Sequence, residues 1–347
     1  MNWSRKKVIV TGGAGFIGGT IVDKLLSQGA SVTVVDKLLF PNRSNIGEAK
    51  LRRLASIYRK YGVNEVPIHT LDLSVNPREF ELLARDCDIV FHLSAVFGGR
   101  EFVDIHQVEC SKMLAIDYNV ISASYAAGVR HLHYSSSACV YAPSLNRRDV
   151  LLQEDQILST GEGWQSSDNL YGFAKLMGEM QLDVYYKEKG FESSISRYLT
   201  VYGPGELDAS HAIAALVEKA LDRQDPYVVW GSGEQERGFT YVDDIAAGSL
   251  LAAEHIKDAR AVNLGWDKRY RIKDVATLIL EISGHRPAGV VFDRSKPEGP
   301  FSRALDISRA RNLLHWEPRV DLAEGLERTI AWHQNQRDVP LTPEIQV

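Results

Sequence analysis

The sequence predicts an α/β fold, a doubly wound parallel sheet that carries a smaller α/β second domain. Three observations predict it. Short, near-continuous apolar runs alternate with helical patterns through the first two hundred residues, the texture of a parallel sheet covered on both faces. A glycine-rich turn joins the first apolar run to the first helix. Beyond Gly203 the chain turns to loops punctuated by glycine and proline, as in "GPGELDASHA", "WGSGEQERGFTYVDD" and "RSKPEGPFSRALD".

Taken in order, "KKVIVT" is the first strand, and "FIGGTIVDKLLSQG" is a helix closing on Gly29, a residue suited to the turn past a helix end. "ASVTVVD" is the next strand, rich in β-branched residues. "DIVFHLSA" is another; a helical stretch from about Asp104 to Ala127 follows, then the strand "RHLHYSSS". A helix near Tyr171–Lys189 and the strand "SSISRYLTVYG" continue the pattern, and "AVNLG" reads as a last strand returning to the sheet. The expected domains are 1–200 with a returning segment near 240–265, and 201–239 with 266–347.

At 347 residues the chain is too long for one small core. Its net charge of −5, with acids and bases interspersed, gives no electrostatic footprint for nucleic acid or a membrane surface. The apolar run near the N-terminus is only about five residues long, far short of a signal peptide core or a spanning helix. Cys87, Cys110 and Cys139 are odd in number and lack metal-ligand spacing, as do the histidines. The expectation is a reducing cytoplasm, without disulfides or a metal.

"TGGAGFIGG" follows the first strand and opens the first helix. Glycines at 12, 13, 15 and 18 suit a tight turn, close approach of backbone to a pyrophosphate, and helix-to-strand packing. The N–H groups at the helix N-terminus face the phosphates. Asp36 ends the second strand at the distance of an acid that holds an adenosine ribose hydroxyl, which favours NAD over NADP. Asp72, in "LDLS", is either a contact to the adenine edge or a turn aspartate.

"YGFAK" places Tyr171 and Lys175 at i and i+4, on one helix face. An ammonium near a phenol favours the phenolate, which can take a proton from a sugar hydroxyl as that carbon is oxidised.

With "FHLSA", "YSSSACVYA", "RYLTVYGPGE", "VNLG" and "LLHWEP", these motifs run through nearly the whole chain. The chain resembles an extended short-chain dehydrogenase/reductase of the nucleotide-sugar epimerase/dehydratase family. The resemblance implies a Rossmann domain holding NAD through Gly12, Gly15, Phe16, Ile17, Asp36 and Asp72. Leu73, Leu93, Tyr171 and Lys175 complete the implied cofactor contacts. It also implies a nucleotide-diphosphate sugar as substrate, with Ser137 on the hydroxyl being oxidised and Arg237 and Arg303 on the diphosphate. A homodimer through the two long helices is implied as well.

Within this family Cys139 resembles the acid/base cysteine of the GDP-mannose 3,5-epimerase branch. "AVFGGREF" is similar to that branch's double-glycine segment, which implies substrate contacts at Gly98, Gly99 and Arg100. Transient oxidation at C4 makes the C3 and C5 hydrogens acidic, and inverting either centre needs a base on one face and an acid on the other. The opposing acid in that branch is a lysine, at a position held here by His211. Thr200 stands where the family has an asparagine that helps place the sugar diphosphate. Plainer readings stay open, with Cys139 as a small packing residue and His211 as a surface histidine. Two other functions are open as well: a 4-epimerase, decarboxylase or dehydratase of UDP-glucose or UDP-glucuronate type, and a silent NAD-binding regulator.

Overall fold

The computed structural model describes residues 2–38, 44–96, 98–157, 167–207, 209 and 211–338. The first half runs β1 Lys7–Thr11, α1 Phe16–Ser27, β2 Ser31–Asp36, α2 Ser44–Lys60, β3 Ile68–Thr70, α3 Pro77–Ala84 and β4 Ile89–His92. The stretch expected as one helix is two, α4 Arg100–Ile105 and α5 Gln107–Ala126, parted where His106 leaves helical geometry at φ −97°, ψ 51°. Next come β5 His131–Ser137, α6 Asn169–Lys189 and β6 Glu192–Tyr198. The chain continues through β7 Val201–Tyr202, α7 Ala212–Leu221, β8 Tyr227–Trp230, β9 Glu236–Arg237, β10 Thr240–Tyr241, α8 Val242–His255 and β11 Asp258–Leu264. It ends with β12 Tyr270–Arg271, α9 Ile272–Ser283, β13 Val290–Asp293, β14 Ser302–Arg303, α10 Ser308–Leu314 and α11 Leu322–Asp338.

Seven strands form one parallel sheet in the order β11-β6-β5-β4-β1-β2-β3. Strand alternation sends Val8 and Val10 of β1 into a core with α1, α2 and α8, and Ile9 into the opposite core with α3, α5 and α6. Each such side chain is buried, a gain of about 1.5–3 kcal/mol. Strand order reverses between β1 and β4, which opens a crevice at the carboxyl ends of these strands. Thr11, Asp36, His92 and Ser137 all sit at those ends.

A separate core gathers α7, β8, β10, α9 and α11 around Tyr202, Val217, Tyr227, Val275 and Leu326. The expected boundary puts all of 266–347 in this unit, but Leu305, Ile307, Ala310, Leu314 and Trp316 pack with Ile245, Val262 and Leu264 beside the large sheet. Among the described residues no helix is long and apolar enough to cross a membrane.

The helix that carries the Tyr171 and Lys175 side chains is fixed to the sheet by a buried ion pair. Arg197 on β6 grips Glu179 on α6, with Nε 2.9 Å from Oε1 and Nη2 2.6 Å from Oε2. Losing either partner of such a pair strands a buried charge, at a cost of about 3–5 kcal/mol.

Candidate active site

The turn after β1 is built as its glycines suggest. Gly12 takes φ +70°, and a Cβ there would meet Ser94 N at 2.9 Å and Leu93 C at 3.0 Å. A Cβ on Gly18 would meet Gly12 O at 2.2 Å, so helix and turn touch backbone to backbone. Gly15 caps α1 without a side-chain hydrogen bond, leaving Phe16 and Ile17 in the first turn. Asp36 is buried and accepts from Ala14 N at 3.2 Å and Leu38 N at 2.8 Å, with Lys50 Nζ at 3.9 Å.

Asp72 is held as a turn aspartate. It accepts from Ser74 N at 3.0 Å and from Lys37 Nζ. Burial raises its pKa, but these bonds more than offset that and bring it to about 2. Leu73 is buried in the core against α3 and α5. Leu93 donates its N–H to Thr11 O at 3.1 Å, which ties the crevice wall to β1.

Ser137, Cys139 and Tyr171 are brought together. Cys139 lies in the 3₁₀ turn Ala138–Val140 at the end of β5, and its N–H donates to Ser137 Oγ at 3.2 Å. Its carbonyl accepts from Asp168 N at 2.8 Å. A Cβ on Gly172 would stand 2.0 Å from that carbonyl, so only glycine lets α6 pack this closely. Burial pushes the Tyr171 phenol well above the ordinary tyrosine value; Cys139 adds to this, and the hydrogen bond with Ser137 opposes it.

Lys175 is held against β5. Its ammonium is buried and donates to Ser135 O at 2.7 Å, and it lies 4.7 Å over the Tyr134 ring. No direct hydrogen bond joins it to the Tyr171 phenol.

The arginines also converge. Arg303 is buried, with Nε 2.8 Å from Asn146 Oδ1, Nη2 2.9 Å from Asp168 Oδ2 and Nη1 3.6 Å from Cys139 Sγ. Arg100 Nη1 reaches both Asp168 oxygens, at 3.0 and 2.9 Å. Parallel pairing of β14 with β9 sets Arg303 in register with Arg237. A Cβ on Gly299 would meet Arg237 at 3.3 Å and Arg100 at 3.5 Å. Burial, then repulsion from Arg303 and Arg100, presses the Arg237 pKa down to about 9. An anion among these guanidiniums would offset that repulsion.

Gly98 packs on the Phe102 side chain, and Gly99 caps α4. Phe97, between the two arms of that motif, lies outside the described residues. His211 caps α7, and its Nδ1 is 2.6 Å from Oε1 of the buried Glu206. Thr200 takes φ +37°, where a β-branched residue is strained and asparagine is tolerated. Asp168 and Glu206 carried no signal in the sequence. Each is a carboxylate in a loop, and its basic partners become neighbours only on folding.

These residues fit NAD. The tight glycine turn leaves no Cβ over the helix N-terminus, and a buried carboxylate ends β2 where a ribose hydroxyl belongs. The family described as "NAD dependent epimerase/dehydratase family" matches residues 8–265. GDP-mannose 3,5-epimerase 1 of Oryza sativa subsp. indica is 28% identical over 99% of this chain and 86% of its own. The UDP-glucose 4-epimerase of Thermotoga maritima, solved with UDP-glucose, superposes with TM-score 0.80 at 26% identity, covering 96% of this chain and 100% of that one. The UDP-glucuronic acid 4-epimerase of Bacillus cereus, solved with UDP-glucuronic acid and NAD, gives 0.77 at 27% identity, over 95% and 99%. The glycine turn, the buried acid and this match over most of its length lead to one conclusion: the chain belongs to the NAD dependent epimerase/dehydratase family, and its cofactor is NAD.

Proposed function

We propose that the protein is a nucleotide-sugar epimerase that oxidises the sugar transiently at C4 and inverts C5, C3 or both. The observation that carries this reading is the placement of Cys139 Sγ beside a guanidinium, two residues past Ser137 and against the helix of Tyr171. When bound, NAD supplies the acceptor for the C4 hydrogen and its electron pair. Tyr171 accepts the proton of the C4 hydroxyl, which Ser137 orients, and returns it once the ring centre is inverted. Cys139 takes the proton from the carbon next to the ketone. His211, oriented by Glu206, supplies one to the opposite face. Arg100, Arg237 and Arg303 hold the diphosphate.

The test is NMR in D₂O with GDP-mannose, UDP-glucose and UDP-glucuronate offered to the holoenzyme. Deuterium at C5 or C3 of the product is expected. Inversion at C4 without deuterium would replace this reading with a UDP-sugar 4-epimerase, which the similarity to the two solved 4-epimerases favours.

A homodimer is part of the proposal. Tyr118 and Tyr125 on α5, and Met180 and Val184 on α6, are at least two-fifths exposed, an apolar surface suited to a four-helix interface. Light scattering should give twice the 38.7 kDa chain mass, and a monomer at micromolar concentration would remove this part.

A further inference from the structure

Beneath the candidate catalytic pair lies a buried polar chain that the mechanism above does not use. Asp117 on α5 is buried and accepts from Tyr134 OH at 2.6 Å. Its other oxygen stands 3.0 Å from His92 Nε2, and His92 Nδ1 stands 2.7 Å from Thr11 Oγ1. Thr11 Oγ1 already accepts from the N–H groups of Leu93 and Ser94, each at 3.2 Å. Its hydroxyl therefore donates to His92 Nδ1, which leaves Nε2–H to donate to Asp117. Burial holds His92 below its ordinary pKa and Tyr134 above its own, so both partners of the carboxylate are neutral.

The carboxylate thus has two neutral donors and no cation in contact, while Lys175 is a buried cation with no carboxylate in contact. The two meet across one aromatic ring. Lys175 Nζ lies 4.7 Å above the Tyr134 ring whose hydroxyl holds Asp117. Gly178, one turn along α6 from Lys175, makes this possible: a Cβ there would stand 2.5 Å from Tyr134 OH. Glu179, the other acid near the lysine, is committed to Arg197 and Ser136.

We infer that Asp117 is the buried counter-charge of Lys175 and a positioning residue for the reaction, joined to the lysine through Tyr134 and to the dinucleotide turn through His92 and Thr11. This rests on the catalytic reading of Tyr171 and Lys175. Among the described residues, Asp117 from α5 and Glu179 from α6 act on the lysine charge, the lysine acts on His92 from β4, and it lies over Tyr134 from β5; Arg197 from β6 pairs with Glu179, and Cys139, Asp117 and Cys110 act on Tyr171. Burial lowers the lysine pKa, while Asp117 and Glu179 hold it up. Asp117 also opposes the Tyr171 phenolate. Removing its charge therefore moves both groups the same way, each losing its proton at lower pH.

The test compares NAD-bound wild type with D117N, D117S and D117E. One readout is the pH profile of kcat on whichever of GDP-mannose, UDP-glucose and UDP-glucuronate is turned over. The other needs no sugar: the tyrosinate absorbance of Tyr171, taken as the difference between each protein and its Y171F counterpart. Both limbs of the profile and the Tyr171 titration should fall by about one pH unit in D117N and D117S, and return in D117E. A lower plateau with unshifted limbs in the folded neutral variants overturns the inference and leaves Asp117 a packing residue. In the wild type the ¹⁵Nζ resonance of Lys175 should be that of an ammonium at the pH of activity, and a neutral amine there overturns the inference without any variant. Full activity in Y171F and K175M would overturn the catalytic reading itself, and this inference with it.

Discussion

Replacing Tyr171 by phenylalanine is expected to lower kcat by about 10²–10⁴, the range of a lost general base, while the fold and the bound NAD persist. The ring stays and its packing with it, so the change removes one hydroxyl and its bond to Ser137. Burial holds the phenol protonated near neutrality, so the phenolate that starts the reaction needs positive charge nearby. Lys175 donates to Ser135 O and makes no hydrogen bond to the phenol, so the charge it offers Tyr171 acts through space. The rate should accordingly rise with pH along the acid limb as Tyr171 loses its proton, and that dependence should vanish from the residual activity of Y171F. Initial rates across pH by NMR, beside circular dichroism and cofactor content of the purified protein, check this. A Y171F protein as active as wild type would remove Tyr171 from the chemistry, whereas a wild type that turns over none of the three sugars would revive the regulator reading.

The large sheet was legible because its strands are buried on both faces and so read as continuous apolar runs, such as Ile89–Phe91 in β4. The glycine turn was legible for a related reason. A Cβ at Gly12 or Gly18 would strike backbone, so no other residue serves, and the pattern stands out in one dimension. The arginine site was not legible in the same way. Arg100, Arg237 and Arg303 lie in three separate segments, and only the pairing of two-residue strands β9 and β14 sets two of them side by side. Asp168 gave no signal, since a loop aspartate before a helix has an ordinary capping role, whereas here its carboxylate goes to Arg100 and Arg303 instead of the helix. Thr200 shows the converse. The departure from asparagine was visible in the sequence, but its physical content, a left-handed backbone that disfavours threonine, appears only with φ in hand. The displaced domain boundary has a similar cause: residues 305–316 follow loops like those of the smaller unit, yet their apolar side chains face α8 and β11.

Replacing Cys139 by alanine is expected to lower proton exchange at C5 or C3 by about 10²–10⁴ and to leave oxidation at C4 nearly intact. The three cysteines of the chain are not alike. Cys87 and Cys110 are buried, and burial raises both thiols, Cys87 to about 11, as suits packing residues. Cys139 is only half-buried, ends the strand that carries Ser137, and has Arg303 Nη1 3.6 Å from its sulfur. A filler has no use for a guanidinium, which must be drawn partly away from water to lie there. A group that exchanges a proton with the sugar ring does, because the guanidinium fixes its sulfur beside the residues proposed to hold the sugar. Because the side chain is small and not fully buried, C139A should cost little stability, so a lost rate is a chemical effect and not an unfolding one. Deuterium uptake and C4 oxidation, followed in the same D₂O sample, separate the two steps. If C139A exchanges as fast as wild type, the thiol is only a soft neighbour for Arg303, the ring proton is moved by another group, and His211 with its Glu206 partner is the next residue to replace. If exchange is lost while the C4 ketone still forms, the oxidation and the inversion are run by different side chains, Tyr171 and Cys139, brought together where Gly172 of α6 packs on the Cys139 carbonyl.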